Sequence, residues 1–235
     1  MEEQPNEQTK ETTEKEQPAQ AVQKEEPKKE KRKEVKEETF SDIKLFGKYG
    51  FTVEVKDAGL KNAIGLRPFV LPKSAGRLSQ QRLSRTKINV VERLIGHLMV
   101  PGHKGKKHLR TSKLMSGRYY TTYKLVEEAF EKISKSGQDP IEVLIRAIEN
   151  SAPKEEVMGL LIAGQRLSKQ VDVSPIRRVD LALRWIAQGT FQSSFSGKKA
   201  SDALYEVLTS AAQNKDTSFP VSKRIDTERQ AASSR

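Results

Sequence analysis

The sequence predicts a mainly α protein, a helical bundle of about five to six helices with one protruding two-stranded β-hairpin. Two observations carry that reading. Apolar side chains recur at the 3.6-residue helical period in several stretches between residues 86 and 214, each closed by glycine, proline or a polar cap. Between two of these stretches the pattern changes to extended segments on either side of Ala163-Gly164, the signature of a hairpin.

Residues 1–39 are Glu, Lys, Gln, Pro and Thr with almost no apolar side chain. They cannot bury enough surface to offset chain entropy, so a disordered charged tail is expected there, with one folded domain over residues 40–235. An irregular lead-in follows, punctuated by Gly47, Gly50, Gly59 and Gly65, in which Phe51-Thr52-Val53-Glu54-Val55 alternates as a short strand would. Thr86 is placed to cap a first helix whose Ile88, Val91, Ile95 and Leu98 share a face, with Pro101-Gly102 ending it and a basic loop running on to about Ser116.

Tyr123, Val126, Phe130 and Ile133 mark a second helix that Gly137 closes. Asp139-Pro140 opens a third with Ile141, Leu144, Ile145 and Ile148 inward, making an αα-hairpin. The β-hairpin is expected at about 156–173, with Val157 and Leu161 on one face and Met158, Leu160 and Ile162 on the other. Such an isolated ribbon is marginal in water and wants a partner surface. Helix returns at Ser174-Pro175, with Ile176, Val179, Leu183 and Ile186 inward, Trp185 beside them and Gly189 at the expected stop. A fifth helix runs from about Lys198 to Asn214 on Ala200, Leu204, Val207, Leu208 and Ala211. A polar, basic segment at about 220–235 is helical from Ser222 in this reading.

Charge points to the partner. Between residues 71 and 124 thirteen Lys and Arg face one acid, Glu92. Nine of the 43 bases and twelve of the 31 acids lie in residues 1–39, so the remainder carries 34 bases against 19 acids, net +15. An unopposed cationic stretch repels itself unless phosphates neutralise it, and counterion release then drives binding. Solvated helix faces ordinarily mix both signs, which this block does not. The expected nucleic-acid ligands in the block are Lys73, Arg77, Arg82, Arg85, Lys87, Lys104, Lys106, Lys107, Arg110, Lys113 and Arg118. Outside it stand Arg177 and Arg178 at the hairpin base, then Lys198, Lys199, Lys223 and Arg224. Arg184, seven residues after Arg177, shares its helix face and extends that second patch. Tyr119, Tyr120 and Tyr123 read first as core or rim, with Tyr120 beside Arg118 the one candidate for base stacking.

Other chemistries find little support. There is no cysteine, and His97, His103 and His108 have no zinc spacing, so neither metal nor cofactor is expected. No nucleophile, base and orienting group fall into a recognisable arrangement, and an enzyme is not expected. Gly102-His103-Lys104-Gly105 matches the four-residue loop of KH domains but lacks their helix and sheet context. Gly105-Lys106-Lys107 lacks the spacing and hydroxyl of a phosphate-binding P-loop. No apolar run approaches the ~18 residues of a membrane span, so no membrane partner is expected, and the composition fits a cytoplasmic protein.

The run Ser174-Pro175-Ile176-Arg177-Arg178-Val179-Asp180-Leu181-Ala182-Leu183-Arg184-Trp185-Ile186 resembles the signature of the universal small-subunit ribosomal protein seven family. Residues 94–100, 147–153 and 211–217 fit the same family in order. Lys44-Leu45-Phe46-Gly47-Lys48 and Arg118-Tyr119-Tyr120-Thr121-Thr122-Tyr123 look like its archaeal and eukaryotic branch. The resemblance implies a helical fold with an extended β-hairpin, binding to the 3′ major domain of small-subunit (16S) rRNA, and a role in starting assembly of the subunit head. It also implies neighbouring ribosomal proteins of the head as partners, a place beside the exit-site tRNA and the mRNA exit path, and no homo-oligomer. By position, the hairpin tip at Ala163, Gly164, Gln165, Arg166 and Lys169 would approach that tRNA. The loop at 101–116 is longer than the bacterial form, and the charged 1–39 tail replaces a short basic arm. A DNA-binding helix-turn-helix regulator built on the second and third helices is the alternative, weakened by Glu142 and Glu149 against a single Arg146 on the would-be recognition helix.

Overall fold

The computed structural model describes residues 43–78, 82–104, 107–108, 117–162 and 164–234. The expected charged tail at 1–39 and most of the basic loop lie outside them. Among the described residues the elements run as a 3-10 helix Ser84–Lys87, α1 Val90–Leu98, β1 His103–Lys104, β2 Lys107–His108, α2 Tyr119–Lys135 and α3 Pro140–Ser151. Then come β3 Glu155–Ile162, β4 Gln165–Asp172, α4 Pro175–Ser194, α5 Ala200–Ala212 and α6 Phe219–Ala232. The architecture is mainly helical with one long β-hairpin, as the sequence predicts; β1 and β2 add a two-residue antiparallel pairing at the start of the basic loop, His103 opposite His108.

Sequence chemistry explains most boundaries. Asp139 accepts from the Ile141 amide at 3.0 Å to open α3, with Pro140 in the first turn. Gly137 closes α2 at φ +81°, its amide bonding to Ser134 O while Gln138 N reaches Ile133 O, the paired bonds of a Schellman ending. Asn214, at φ +51°, ends α5 in the same way, with Asn214 N on Ala211 O and Lys215 N on Ser210 O. Asparagine is among the few residues with a side chain that accept this left-handed position readily.

Four boundary expectations are corrected. Thr86 does not cap α1: its hydroxyl donates to Leu83 O within the 3-10 turn, and the cap is Asn89, whose Oδ1 accepts from Val91 N at 2.9 Å while Nδ2 donates to Arg67 O. Ile88 consequently precedes the helix in extended conformation. Gly189 does not stop α4, which runs on to Ser194 before Gly197 turns the chain at φ +84°. It is instead a contact point, because an added Cβ there would sit 3.2 Å from Phe219 Cβ at the start of α6. Residues 51–55 form no strand, although Phe51, Val53 and Val55 alternate toward the core as their spacing implies. Finally, α6 begins at Phe219 rather than Ser222, with Pro220 and Val221 buried in its first turn.

The main core is one cluster drawn from all six α-helices and from the lead-in, which contributes Leu45, Leu60, Ala63 and Ile64. α5 packs against α2, α3 and α4, and α1 lies on α4. α3 buries Val143, Leu144, Ile145, Ala147 and Ile148, nearly its whole circumference, which leaves no free face to enter a DNA groove. The helix-turn-helix alternative therefore fails on burial as well as on charge. No helix among the described residues is long and apolar enough to cross a membrane.

β3 and β4 pair antiparallel over eight residues each, from Glu155 opposite Asp172 to Ile162 opposite Gln165. The base of this ribbon is docked: β3 and β4 contact α6, Lys154 N donates to Glu228, and Val173 joins Leu181, Trp185 and Phe219 in a second apolar cluster. Toward the tip, Met158, Leu161 and Leu167 are exposed. The ribbon thus projects from a fixed root.

Gly65 pins the lead-in against α1. Its carbonyl accepts from Val90 N at 2.9 Å, and an added Cβ would lie 2.1 Å from Ile88 O and 2.9 Å from Thr86 O. Gly65→Ala is therefore expected to lower stability by about 2–3 kcal/mol, the range of overpacking against an unyielding neighbour. Gly96→Ala, on the exposed side of α1 with nothing within 4 Å, should raise it by about 0.5–1 kcal/mol. Urea denaturation of the two variants checks the opposite signs.

Candidate nucleic-acid interface

Where α1 crosses α4, one acid sits among the cations. Asp180 accepts from Arg85 Nη1 at 2.6 Å and from Arg93 Nη2 at 2.9 Å, and His97 Nε2 lies 3.8 Å away. Burial alone would push the Asp180 carboxyl up, but His97, Arg93 and Arg85 outweigh it and hold it well below the usual carboxylate range. Arg93 is turned inward, its side chain 5% exposed, with Nη1 on Ala63 O at 2.9 Å. Arg85 keeps 66% of its side chain in solvent.

Arg177 and Arg184 stand on the exposed side of α4 beside this clamp. Arg184 borders a hollow of about 170 Å³ with Gly96, His97, Val100, Pro101, Ala187 and Gln188. That hollow adjoins the root of the basic loop: Pro101 leaves α1 there, and Gly117 returns to it, donating its amide to Met99 O at 3.0 Å. Both ends of the loop are therefore tied to the α1–α4 seam. The side chains of Lys104, Lys106, Lys107, Arg110 and Lys113 lie outside the described residues, as do those of Ala163 and Arg166 at the hairpin tip.

Of the other expected ligands, Lys73, Arg77, Arg82, Arg85, Arg118, Arg177, Lys198 and Lys199 are exposed, as are Gly164, Gln165 and Lys169 on the hairpin. Lys87, Lys223 and Arg224 are half-buried. Lys198 is paired with Glu206, Lys223 with Asp226 and Arg224 with Glu228, so these three are partly engaged within the fold. Arg178 is a correction. It is 8% exposed, donating from Nε to Pro153 O at 3.1 Å and from Nη2 to Asp57 at 2.7 Å, and it offers no face to a phosphate. Asp57 answers it: burial pushes that carboxyl up, but hydrogen bonds from Arg178 and the Gly59 amide hold it below the usual value. Arg177, one position earlier, is 55% exposed and grips Glu156 of β3 through Nε and Nη2 at 2.6 and 2.8 Å.

Glu92, the one acid of the basic block, is also accounted for. Its Oε1 accepts from both the amide and the hydroxyl of Ser74, at 2.8 and 2.7 Å, fastening the segment that carries Lys73 and Arg77 to α1. The Tyr119 hydroxyl donates to Pro72 O from the start of α2, and burial, aided by the charge of Glu92, pushes that phenol up to about 12.

Asp180 and Asp57 are the groups that reading along the sequence did not single out. The one available signal for Asp180 was an acid set inside an arginine-rich run, and its partners, 95 and 87 residues away, could not be named from that.

Asp180 ties stability to pH. Because its folded value lies below that of an unfolded aspartate, its contribution is complete above about pH 5 and is lost progressively as acid protonates the folded carboxylate. Asp180→Asn is expected to cost about 3 kcal/mol at pH 7, the scale for stranding a buried cation, and to flatten the acid limb of the stability profile. Denaturation midpoints between pH 3 and pH 7 measure both effects.

The chain has relatives among known proteins. The family model described as ribosomal protein S7p/S5e matches residues 71–235. The "small ribosomal subunit protein uS7" of Nanoarchaeum equitans (strain Kin4-M) is 40% identical over 196 residues, covering 82% of this chain and 99% of that protein. The protein of the same name from Cenarchaeum symbiosum (strain A) is 41% identical over 197 residues, covering 83% and 98%.

Proposed function

The chain belongs to the ribosomal protein S7p/S5e family, and on that premise we propose that its cationic surfaces bind the 3′ major domain of small-subunit rRNA. The family is structural and non-enzymatic, and its place is the small subunit of the ribosome, which is cytoplasmic. The observation that carries the proposal is the gathering of Arg85, Arg93, Arg177 and Arg184 along the α1–α4 seam, where Asp180 takes the first two and Glu156 the third, at the root of a loop with five further bases. Two carboxylates do not neutralise these arginines and the loop bases together, and phosphates supply the missing charge while releasing their counterions.

The division of roles follows from exposure. Lys73, Arg77, Arg82, Arg85, Lys87 and Arg118 form one rRNA-facing surface, to which the sequence adds the loop bases Lys104, Lys106, Lys107, Arg110 and Lys113. Arg177 and Arg184 continue it across α4, and Lys198, Lys199, Lys223 and Arg224 are secondary contacts. Arg178 is withdrawn from this set and positions Arg177 by fixing the start of α4. By resemblance to the family, binding of this kind starts assembly of the subunit head beside other head proteins, and the hairpin tip at 163–169 reaches toward the exit-site tRNA and the mRNA exit path.

Two measurements test this. Chemical footprinting of the purified protein on small-subunit rRNA is expected to protect sites confined to the 3′ major domain; scattered protection would contradict it. Charge reversal at Lys104, Lys106 and Lys107, or Arg184→Ala, should reduce the slope of log affinity against log salt by roughly 0.7–0.9 for each phosphate no longer neutralised. An unchanged slope would remove that group from the interface.

A further inference from the structure

The first two turns of α2 carry three tyrosines with different fates. Tyr119 is half-buried with its hydroxyl on Pro72 O, and Tyr123 is half-buried against the core, edge-on to Phe46 with ring centroids 5.1 Å apart. Tyr120 is 67% exposed. Its ring is nonetheless held in plane, stacked on Tyr123 at 6.3 Å between centroids and 4° between planes. Phe46 in turn packs on Phe130, which is fully buried, so the orientation of Tyr120 is relayed to the core through rigid rings.

The surroundings are cationic. Lys124 Nζ lies over one face of the Tyr120 ring, 4.8 Å from its centroid, so a base would stack on the other face or displace it; Lys73 Nζ lies over the Tyr119 ring at 5.5 Å, and Arg118 is exposed immediately before the helix. The first turn of α2 contains no acid, and its positive end adds to the same field. Gly117, at the foot of the basic loop, is three residues away in sequence.

Resting on the rRNA-binding reading, we infer that Tyr120 is a stacking platform for an unpaired base of the RNA, with Lys124 and Arg118 taking the phosphates that flank it. The recognised group is a nucleotide, an aromatic face coupled to an anion. Both halves match: a sequence-tolerant ring whose plane is set before binding, and ammonium and guanidinium groups beside it. A duplex offers no such face, so the target is a loop, bulge or strand end. An acidic protein partner would use the cations but has no need of the preset ring.

The test uses the full chain and a transcript of the 3′ major domain of small-subunit rRNA, with affinities measured across salt for wild type, Tyr120→Ala, Tyr120→Phe, Tyr120→Trp and Lys124→Ala. Tyr120→Ala is expected to weaken binding roughly tenfold at every salt concentration with the slope unchanged, within the range for removal of one stacked base. Phe and Trp should stay within about twofold of wild type, whereas Lys124→Ala should lower the slope by roughly 0.7–0.9. Ultraviolet cross-linking should place a nucleotide adduct on Tyr120 within the tryptic peptide 119–124. Wild-type binding that Tyr120→Ala leaves unaltered, or an Ala effect that Phe reproduces in full, overturns the platform and leaves rRNA binding standing. Absence of salt-dependent wild-type binding to the transcript overturns both.

Discussion

A buried guanidinium must be paired, and much of this structure follows from how that requirement is met. Arg93 sits between α1 and α4 with little water, and Asp180 supplies the opposing charge. The same carboxylate reaches the 3-10 helix through Arg85 and stands near His97 at the far end of α1. The 3-10 helix and the neighbouring α1 are thereby locked by one acid to α4, 87 to 95 residues further along the chain. An isolated charge in that position would cost several kcal/mol, whereas here the charge is paired with Asp180 and both terminal nitrogens of Arg93 are engaged, its Nε alone being left without a hydrogen-bond partner. The fold thus pairs the cation it buries, while the outward-facing cations of the seam keep a net positive charge.

Arg178 repeats the device at the hairpin root. It links α4 to Pro153, just before β3, and to Asp57 of the lead-in, while neighbouring Arg177 reaches outward across Glu156. Rotation of about 100° per helical residue separates the two. One builds the frame from which the arm projects; the other remains 55% exposed at its edge, where a phosphate can compete for it. A purely hydrophobic root would hold the arm as firmly but would not place a cation there. The same economy governs Glu92 and Tyr119, which fasten the 72–74 segment so that Lys73 and Arg77 are presented from a fixed backbone.

How far the fold was legible in the sequence depended on the range of the interactions. Local chemistry was legible: Asp139-Pro140 and Ser174-Pro175 opened helices, Gly137 closed one, and Gly164, at φ +81°, falls between the paired strand ends Ile162 and Gln165. Thr86 was the expected cap, and the role falls instead to Asn89, whose amide also reaches Arg67 O, a contact 22 residues away that the local pattern does not show. Gly189 looked like a stop because glycine so often is one, yet its reason is the approach of Phe219 from another helix. The outward direction of Arg177 follows from its place opposite the Ile176, Val179, Leu183 and Ile186 stripe. Arg178 lies on the flank, where the sequence allows either direction and long-range partners decide. Of the site, the cationic character was legible and the anionic clamps were not, because Asp180 and Asp57 act across 87 to 121 residues of chain.

The adjacent pair on α4 separates an arginine that holds the frame, Arg178, from one left at the surface, Arg177, where the proposed rRNA would meet it. The decisive measurement compares Arg177→Gln with Arg178→Gln for both unfolding free energy and salt dependence of rRNA binding. Arg178→Gln is predicted to cost about 3 kcal/mol of stability while leaving the salt slope of the folded protein intact. Arg177→Gln is predicted to stay within about 1 kcal/mol of wild type, as exposed ion pairs do, and to lower the slope by roughly 0.7–0.9. An equal fall in slope in the two variants, with stability unaffected in both, would contradict the division.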